Sequence, residues 1–261
     1  MNMNIHTPII LRKFKMNYIK DNSFILIIGM IGKSTITKDI LYNHSDIPIG
    51  IVICDKKKSY EYIPPIFVHN EYIPKNVRRF IKNQIYNVQN SDIDSRFFCV
   101  MDMQSYAHVK KNKYFQRLCE HNHKLKTLFI IEMFFLEALN NKYIEIQKKV
   151  DYIFILKENV VMNKDFIYEQ YEDYLGIEFS LFCKLIDDYT SDYNCLVLDV
   201  RSKSRNIQDK LYWYKANIHI EDFKMCCDES WNYNQQNGIN DFRNDDYEHY
   251  IEKIYKRELF Y

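Results

Sequence analysis

Short apolar runs alternate along this chain with segments of helical spacing, and this alternation restricts the possible folds more than any other feature. Continuous apolar strands are typical of a sheet that is covered on both faces. The pattern therefore predicts an α/β fold, a mostly parallel twisted sheet with helices on both faces. The predicted strands are 24–29, 49–54, 66–69, 97–102, 127–133, 151–156, 194–200 and 210–216, and the predicted helices are 33–42, 75–88, 107–121, 135–149, 163–174 and 178–189.

The length and charge of the chain fit one globular domain with short extensions. Its 261 residues contain 36 Lys+Arg and 35 Asp+Glu, a formal net charge of +1. This balance excludes a uniformly basic nucleic-acid coat, although a local basic patch remains compatible with it. We predict an N-terminal segment at 1–20, one α/β domain at 21–225 and a C-terminal extension at 226–261. The extension is polar, so we expect it to be partly disordered, up to Asp246, and helical from Tyr247.

Hydropathy and cysteine usage indicate a chain that works in a reducing compartment. No run of about 18 uncharged apolar residues is present, so we expect no transmembrane segment. The N-terminus lacks the long apolar region and small-residue cleavage site of a secretory signal. The 7 cysteines have no regular spacing and several lie in apolar runs, which predicts reduced, buried thiols rather than a disulfide framework.

The first apolar run leads into a loop with the elements of a phosphate-binding site. Gly32, Lys33 and Ser34 match the last three positions of the pattern G-x-x-x-x-G-K-[ST]. In such a loop, backbone N–H groups surround the phosphates, the lysine neutralises their outer charge, and the next hydroxyl ligates Mg²⁺. We therefore predict that Gly29, Gly32, Lys33, Ser34 and Thr35 bind a nucleotide, with Ser34 as a ligand of its Mg²⁺.

This loop is shorter than the pattern requires. Ile27 stands where the pattern has its first glycine, and only Met30 and Ile31 separate Gly29 from Gly32. Neither residue adopts the open backbone angles of such a loop as readily as glycine does. The alternative is a strand–turn–helix junction with a chance Gly-Lys-Ser triplet, but its place after the first strong strand favours phosphate-binding descent.

A nucleotide site of this kind also needs a carboxylate that faces the loop. Asp102 ends the apolar run 97–102, and the carboxyl ends of parallel strands share one edge of a sheet. We predict that Asp102 holds Mg²⁺ together with Ser34, and the alternative for Asp102 is a helix cap or turn carboxylate. Hydrolysis usually needs a second acid to orient the attacking water. The next residue is Met103, which cannot polarise water.

Several segments in a fixed order carry a resemblance to a known family. The chain resembles the genome-packaging ATPases of large nucleocytoplasmic DNA viruses, a branch of the FtsK/HerA superfamily of P-loop NTPases, and the likeness suits a divergent or degenerate member from a giant virus. The segments cover about residues 20–225. They are FILIIGMIGKST (24–35), DILYNHSDIPIGIVIC (39–54), IFVHNEYIP (66–74), FFCVMD (97–102), LFIIEM (128–133), VDYIFILKEN (150–159) and YNCLVLDVRSKS through YWYKANIH (193–219).

The resemblance implies an ATP-driven motor that assembles as a homo- or hetero-oligomeric ring and translocates double-stranded viral DNA into a capsid. In the family's terms, Lys33 would contact the β- and γ-phosphates of ATP, and Ser34 and Asp102 would hold Mg²⁺. The family also implies a location in the host cytoplasm, at the viral factory, or in the virion.

Several positions depart from the family's catalytic pattern, among them Met103 and Phe134. Met103 replaces the second acid, and Phe134 follows the strand LFIIEM where a polar residue that senses the γ-phosphate is expected. We therefore assign no catalytic residue from the sequence. The alternative function is a catalytically inactive pseudo-ATPase, a structural or regulatory partner of a complete packaging motor.

Two further groups of residues have a functional and a plain interpretation. Cys119, His121 and His123 could supply metal ligands, but alternate positions on a helix point about 200° apart and do not converge. Three basic clusters could contact the DNA backbone or simply form solvated faces. They are Lys56–Lys58, then Lys110, Lys111 and Lys113, and finally Arg201, Lys203 and Arg205.

Overall fold

The fold is built on one large sheet. A computed structural model describes residues 9–54, 57–89, 94–102, 109, 112–134, 149–239, 246 and 249–250. These residues form a nine-stranded sheet in the order β1-β9-β8-β7-β2-β6-β5-β3-β4. The strands are β1 (Arg12–Lys13), β2 (Phe24–Ile28), β3 (Ile49–Ile53), β4 (Val68–His69), β5 (Phe97–Asp102), β6 (Thr127–Met133), β7 (Tyr152–Ile155), β8 (Asn194–Asp199) and β9 (Leu211–Lys215).

Helices cover both faces of this sheet. They are α1 (Lys33–Tyr42), α2 (Pro74–Gln89), α3 (Lys113–His121), α4 (Val161–Leu175), α5 (Phe179–Tyr189) and α6 (Asp228–Gln236). Alternate residues of β2 belong to two different core clusters, because successive side chains of a strand point to opposite faces. The first cluster includes residues of α2, α3, α4 and α5, and the second includes residues of α1 and α6.

The strand directions bring several chain segments to one edge of the sheet. The pairings among β7, β2, β6, β5, β3 and β4 are all parallel, whereas β8 is antiparallel to both β7 and β9. The carboxyl end of β2 therefore shares an edge with the ends of β5, β6, β7 and β9 and with the start of β8. From β2 the chain continues to β3, which lies on the β6 side of β2, whereas β7 pairs with β2 on the opposite side. Such a switch point is where open α/β sheets bind ligands.

The predicted α/β class with a mostly parallel sheet and helices on both faces is confirmed. Helix 33–42 and strands 97–102 and 127–133 have the predicted bounds. The predicted strand 66–69 is shorter, because a 3₁₀ turn occupies Pro65–Phe67 before β4. Strand β1 was not predicted, since it has only two residues and depends on pairing with β9. The predicted helix 135–149 lies almost wholly outside the described residues.

The C-terminal extension contains a helix where the sequence suggested disorder. Helix α6 packs on the sheet through Tyr233, which is 6% exposed. The indole Nε1 of Trp231 donates to the Met225 carbonyl at 2.8 Å. These aromatic anchors stand among polar residues, which explains why composition alone pointed to disorder. The division at 1–20, 21–225 and 226–261 stays a prediction.

Among the described residues, no helix combines the length and the apolar character that a membrane span requires.

Candidate nucleotide-binding site

The loop between β2 and α1 depends on its two glycines. Gly29 and Gly32 have φ angles of 145° and 97°, which side chains rarely permit. A Cβ on Gly29 would lie 2.6 Å from the Cβ of Leu156. The Gly29 N–H donates to the Met133 carbonyl at 3.0 Å, so the loop is tied to β6 as well. Both glycines predicted from the sequence are therefore required by the backbone of this turn.

The loop leads directly into the first turn of α1. Gly32 is the N-cap in a left-handed conformation, and no described side chain caps the helix. The N–H groups of a first helical turn have no intrahelical partners and carry the positive end of the helix dipole. This geometry suits the binding of an anion such as a phosphate.

The side chain of Lys33 lies against its own loop. Its Nζ donates to the carbonyl oxygens of Gly29, at 3.0 Å, and Met30, at 3.4 Å. The same Nζ lies 3.9 Å from the ring centroid of Phe134, a cation–π distance. Lys33 also interacts electrostatically with Glu132, whose pKa it lowers. A phosphate that reached the loop would offer this ammonium group a further charged partner.

A cavity of about 140 Å³ joins the loop to the ends of β5 and β6. Ser34 and Asp102, which are far apart in sequence, both line it, together with Lys33 and Gly32. The structure thus brings together the two predicted Mg²⁺ ligands. Thr35 instead lines a second cavity on the other side of the loop. The remaining lining residues of the smaller cavity are Met30, Ser59, Tyr60, Glu132 and Phe134.

Hydroxyl and carboxylate oxygens are the ligands that Mg²⁺ prefers. The donor set at this cavity, Ser34 and Asp102, therefore fits a nucleotide-bound Mg²⁺. In the parallel register, Asp102 of β5 pairs with Glu132 of β6. Glu132 in turn pairs with Ile27 of β2, the strand that leads into the loop. Two carboxylates thus lie on adjacent strands beside the phosphate loop.

Glu132 is a candidate functional residue that the sequence reasoning missed. Its side chain is 2% exposed. It accepts hydrogen bonds from Thr37 Oγ1 at 2.5 Å and from Tyr60 Oη at 3.1 Å. A single charge inside the apolar run 127–133 was the signal that could have revealed it, because a buried charge needs partners.

The environment of Glu132 alters its protonation. Burial, opposed by the Thr37 hydrogen bond and assisted by the charge of Asp102, raises the pKa of Glu132 from 4.5 to about 7. Burial and the neighbouring Glu132 also raise the pKa of Tyr60 well above its usual value, so this phenol stays protonated and donates its hydrogen bond to Glu132. A carboxyl group with a pKa near 7 is suited to accept and release protons at physiological pH.

The remaining candidate residues from the sequence lie at the cavity wall, away from the cavity or outside the described residues. Met103 lies outside the described residues, as do Lys56, Lys110 and Lys111. Phe134 is at the cavity wall, as its position after β6 implied. In the third basic cluster, Arg201 is engaged within the chain: its Nε lies 3.3 Å from Asp199 Oδ1, and its guanidinium lies over the Tyr152 ring.

The fold is that of P-loop NTPases, and it resembles solved viral packaging enzymes. The genome packaging NTPase B204 from Sulfolobus turreted icosahedral virus 2, in complex with ATP-gammaS, has a TM-score of 0.51 and 12% identity, covering 76% of this chain and 98% of that chain. B204 from Sulfolobus turreted icosahedral virus, a DNA-packaging ATPase, has a TM-score of 0.52 and 14% identity, covering 76% of this chain and 100% of that chain. The resemblance to packaging ATPases inferred from the sequence is confirmed at the level of the fold.

Relatives by sequence are proteins of large DNA viruses. Protein 075L of Invertebrate iridescent virus 6 is 27% identical, over 82% of this chain and 85% of the relative. Protein L437 of Acanthamoeba polyphaga mimivirus is 28% identical, over 71% of this chain and 69% of the relative. No protein-family profile matches the chain. The similarity to these viral proteins extends over most of the chain, but the sequence identity is below 30%.

Proposed function

We propose that this chain binds ATP–Mg²⁺ at the loop Gly29–Thr35 and hydrolyses it as a subunit of a viral DNA-packaging motor. The observation that carries the proposal is the single cavity lined by Lys33, Ser34, Asp102 and Glu132. Those side chains come from the loop, from α1 and from two neighbouring strands. Their combination of one cation, one hydroxyl and two carboxylates is the set that a nucleoside triphosphate and its metal require.

Each residue has a distinct role in this proposal. Lys33 turns from the carbonyls of Gly29 and Met30 to the outer phosphates. Ser34 and Asp102 hold Mg²⁺, which supplies charge neutralisation of the phosphates when it is bound. The first turn of α1 contributes N–H donors to the phosphate nearest the loop.

Glu132 is proposed to orient the attacking water, the role expected of the acid that Met103 replaces. It lines the same cavity as Lys33 and Asp102. A carboxylate on the adjacent strand can serve the same purpose as one that follows Asp102 in sequence, because general-base catalysis depends on reach rather than on chain position. Thr37 and Tyr60 hold Glu132 in place through their hydroxyl groups.

One observation favours a second function, that of a pseudo-ATPase partner of a complete motor. The ring of Phe134 lies 3.9 Å from the Lys33 ammonium group, where the family has a polar residue instead. A ring at this position cannot hydrogen-bond a γ-phosphate, so nucleotide could be bound without efficient hydrolysis.

The experiment compares three proteins: wild type, Lys33→Ala and Glu132→Gln. Binding of ATPγS with Mg²⁺ is measured by calorimetry, and phosphate release is measured with and without double-stranded DNA. We expect wild type to bind and hydrolyse, Lys33→Ala to lose binding, and Glu132→Gln to keep binding but lose hydrolysis by a factor on the order of 10² or more. Lys184→Ala, at an exposed site away from the cavity and outside the three basic clusters, is the control.

The outcomes separate the two candidate functions. Binding without phosphate release in wild type would support the pseudo-ATPase. No binding by wild type, or equal binding by wild type and Lys33→Ala, would overturn both. The proposed partners are double-stranded DNA and further subunits in a ring, and the proposed location is the host cytoplasm or the virion. DNA stimulation of phosphate release and the mass of the assembly with nucleotide test the partners.

A further inference from the structure

Helices α2 and α3 carry a concentration of positive charge that the nucleotide site does not use. They hold six of the chain's 36 Lys+Arg but one of its 35 Asp+Glu, Glu120, although the whole chain has a net charge of only +1. Both helices pack on the face of the sheet opposite to α1, and none of their residues lines the cavity around Lys33. Such an uneven distribution of charge on a nearly neutral chain indicates a surface for an anionic partner.

Four of these cations form one exposed surface across the two helices. Arg78 and Lys82 are four residues apart on α2, as are Lys113 and Arg117 on α3, so each pair shares one helix face. The two helices pack against each other. The Arg78 guanidinium lies 6.0 Å, and the Lys113 Nζ lies 5.3 Å, from the ring centroid of Tyr114, so this ring joins the two pairs. These four cations are named the α2–α3 patch.

The charges of the α2–α3 patch are not neutralised within the described part of the chain. No ion pair between described residues involves any of the four cations. Arg96, by contrast, forms ion pairs with Asp21, Asp46 and Asp94. Cations that stand close together and exposed repel one another, and an anionic partner removes that repulsion.

The composition of the patch favours a nucleic-acid duplex over a protein or a membrane. The centre of a protein interface is enriched in aromatic and other apolar groups, and a helix on a membrane surface buries an apolar face. Among the described residues, Tyr86 is the only exposed large apolar side chain of α2 and α3, at 38%. Protein–DNA interfaces are instead polar and strongly positive. We infer that the α2–α3 patch binds the phosphate backbone of double-stranded DNA, and the choice of DNA rests on the proposed function.

The spacing of the four cations suits such a backbone. Residues four apart lie about 6 Å apart along a helix, and the axes of packed helices are about 8–10 Å apart. Each strand of B-DNA carries one phosphate per about 3.4 Å of helix axis. The patch therefore contacts several phosphates at once. Phosphate contacts carry no sequence information, so we expect binding that does not depend on DNA sequence.

The test uses the salt dependence of DNA binding. Fluorescence anisotropy with the full chain, a labelled DNA duplex and no nucleotide measures Kd between about 50 and about 200 mM salt. Four phosphate contacts predict a slope of log K against log salt of about −4, which is a loss of affinity on the order of 10²-fold over this range. Replacement of all four patch cations by glutamine should remove most of this slope and weaken binding at low salt on the order of tenfold or more.

A matched control variant separates the patch from the net charge of the chain. It replaces four exposed lysines outside α2 and α3 by glutamine, so its net charge falls by the same amount. These lysines are Lys15, Lys149, Lys184 and Lys215. The control variant should bind DNA as wild type does. Far-UV circular dichroism checks that both variants fold, and both should bind ATPγS with Mg²⁺ as wild type does, since none of the replaced residues lines the cavity around Lys33.

Three results would overturn the inference. Wild type that does not bind the DNA duplex, or DNA binding that both variants weaken equally, would exclude the patch as the DNA site. Tighter binding of an RNA duplex or of polyglutamate than of the DNA duplex would assign the patch to another polyanion. The binding of ATPγS is measured separately, so its absence in wild type would count against the proposed function while the DNA measurements still decide the role of the patch.

A milder variant replaces the fourfold one if the latter does not fold. Lys82→Gln combined with Arg117→Gln leaves the two cations at the Tyr114 ring in place. It should reduce the salt slope by about 2, because each lost phosphate contact lowers the slope by about 1. An unchanged slope in this variant would likewise overturn the inference.

Discussion

The burial of Glu132 has a consequence for stability that can be measured without nucleotide. Its pKa is raised from 4.5 to about 7 because the carboxyl group is buried and lies beside Asp102. The native protein therefore keeps a proton that the unfolded chain releases. The stabilising contribution of this proton is complete below pH 4.5 and is lost as the pH rises through 7. The difference between the two pKa values corresponds to about 3 kcal/mol.

Replacement of Glu132 by glutamine removes the ionisable group and keeps the shape. We expect the free energy of unfolding of Glu132→Gln, relative to wild type, to rise by about 3 kcal/mol between pH 4 and pH 8. Urea unfolding with a chelator, at several pH values, measures this difference. Contributions from titrating groups that do not interact with Glu132 are common to both proteins and cancel, whereas Asp102, which interacts with Glu132, is included in the measured difference.

A control variant should have the opposite sign. Hydrogen bonds from Arg96 lower the pKa of Asp94, so its carboxylate stabilises the native state as the pH rises. Asp94→Asn should therefore lose a little stability relative to wild type at neutral pH, because this pair is largely exposed. If the difference between Glu132→Gln and wild type did not change with pH, the reasoning on the buried carboxyl group would be refuted.

Two further predictions concern packing. A Cβ on Gly50 would lie 2.2 Å from an atom of the fully buried Phe98 ring, so Gly50→Ala should lower the free energy of unfolding by about 2 kcal/mol. Phe98→Leu in the same chain should restore part of that lost stability. Gly176→Ala, which has no atom within 4 Å of the new Cβ, should lose only the stability that its left-handed backbone costs. Equal losses of stability in Gly50→Ala and Gly176→Ala would contradict the packing argument. Thiols that are fully buried and have raised pKa values should react with an aromatic disulfide reagent only at the rate of unfolding. The half-buried Cys183 should instead react in the native state. Rapid labelling of the buried thiols in the native state would contradict their burial in the core. The protected thiols are Cys99, Cys119 and Cys195.

Local pattern was enough to predict the sheet and the loop. The strand 97–102 and the helix 33–42 could be predicted from the sequence because apolar runs and helical spacing are properties of nearby residues. The turn at Gly29 and Gly32 could also be predicted, because the need for glycine depends only on the backbone angles at those positions. The position of Asp102 opposite the loop followed from the common edge shared by parallel strands.

Tertiary structure decided which second carboxylate lies at the proposed nucleotide site. Glu132 became a candidate only when β6 was paired between β2 and β5, because that pairing puts it beside Asp102 and under Thr37. Asn194, the first residue of β8, lies at the sheet edge where β2 ends because β8 runs antiparallel to β7. Neither strand order nor strand direction is encoded in a short stretch of chain, since both depend on contacts between distant segments. The sequence by itself thus determined the phosphate loop, and the assembled sheet determined the groups that surround it.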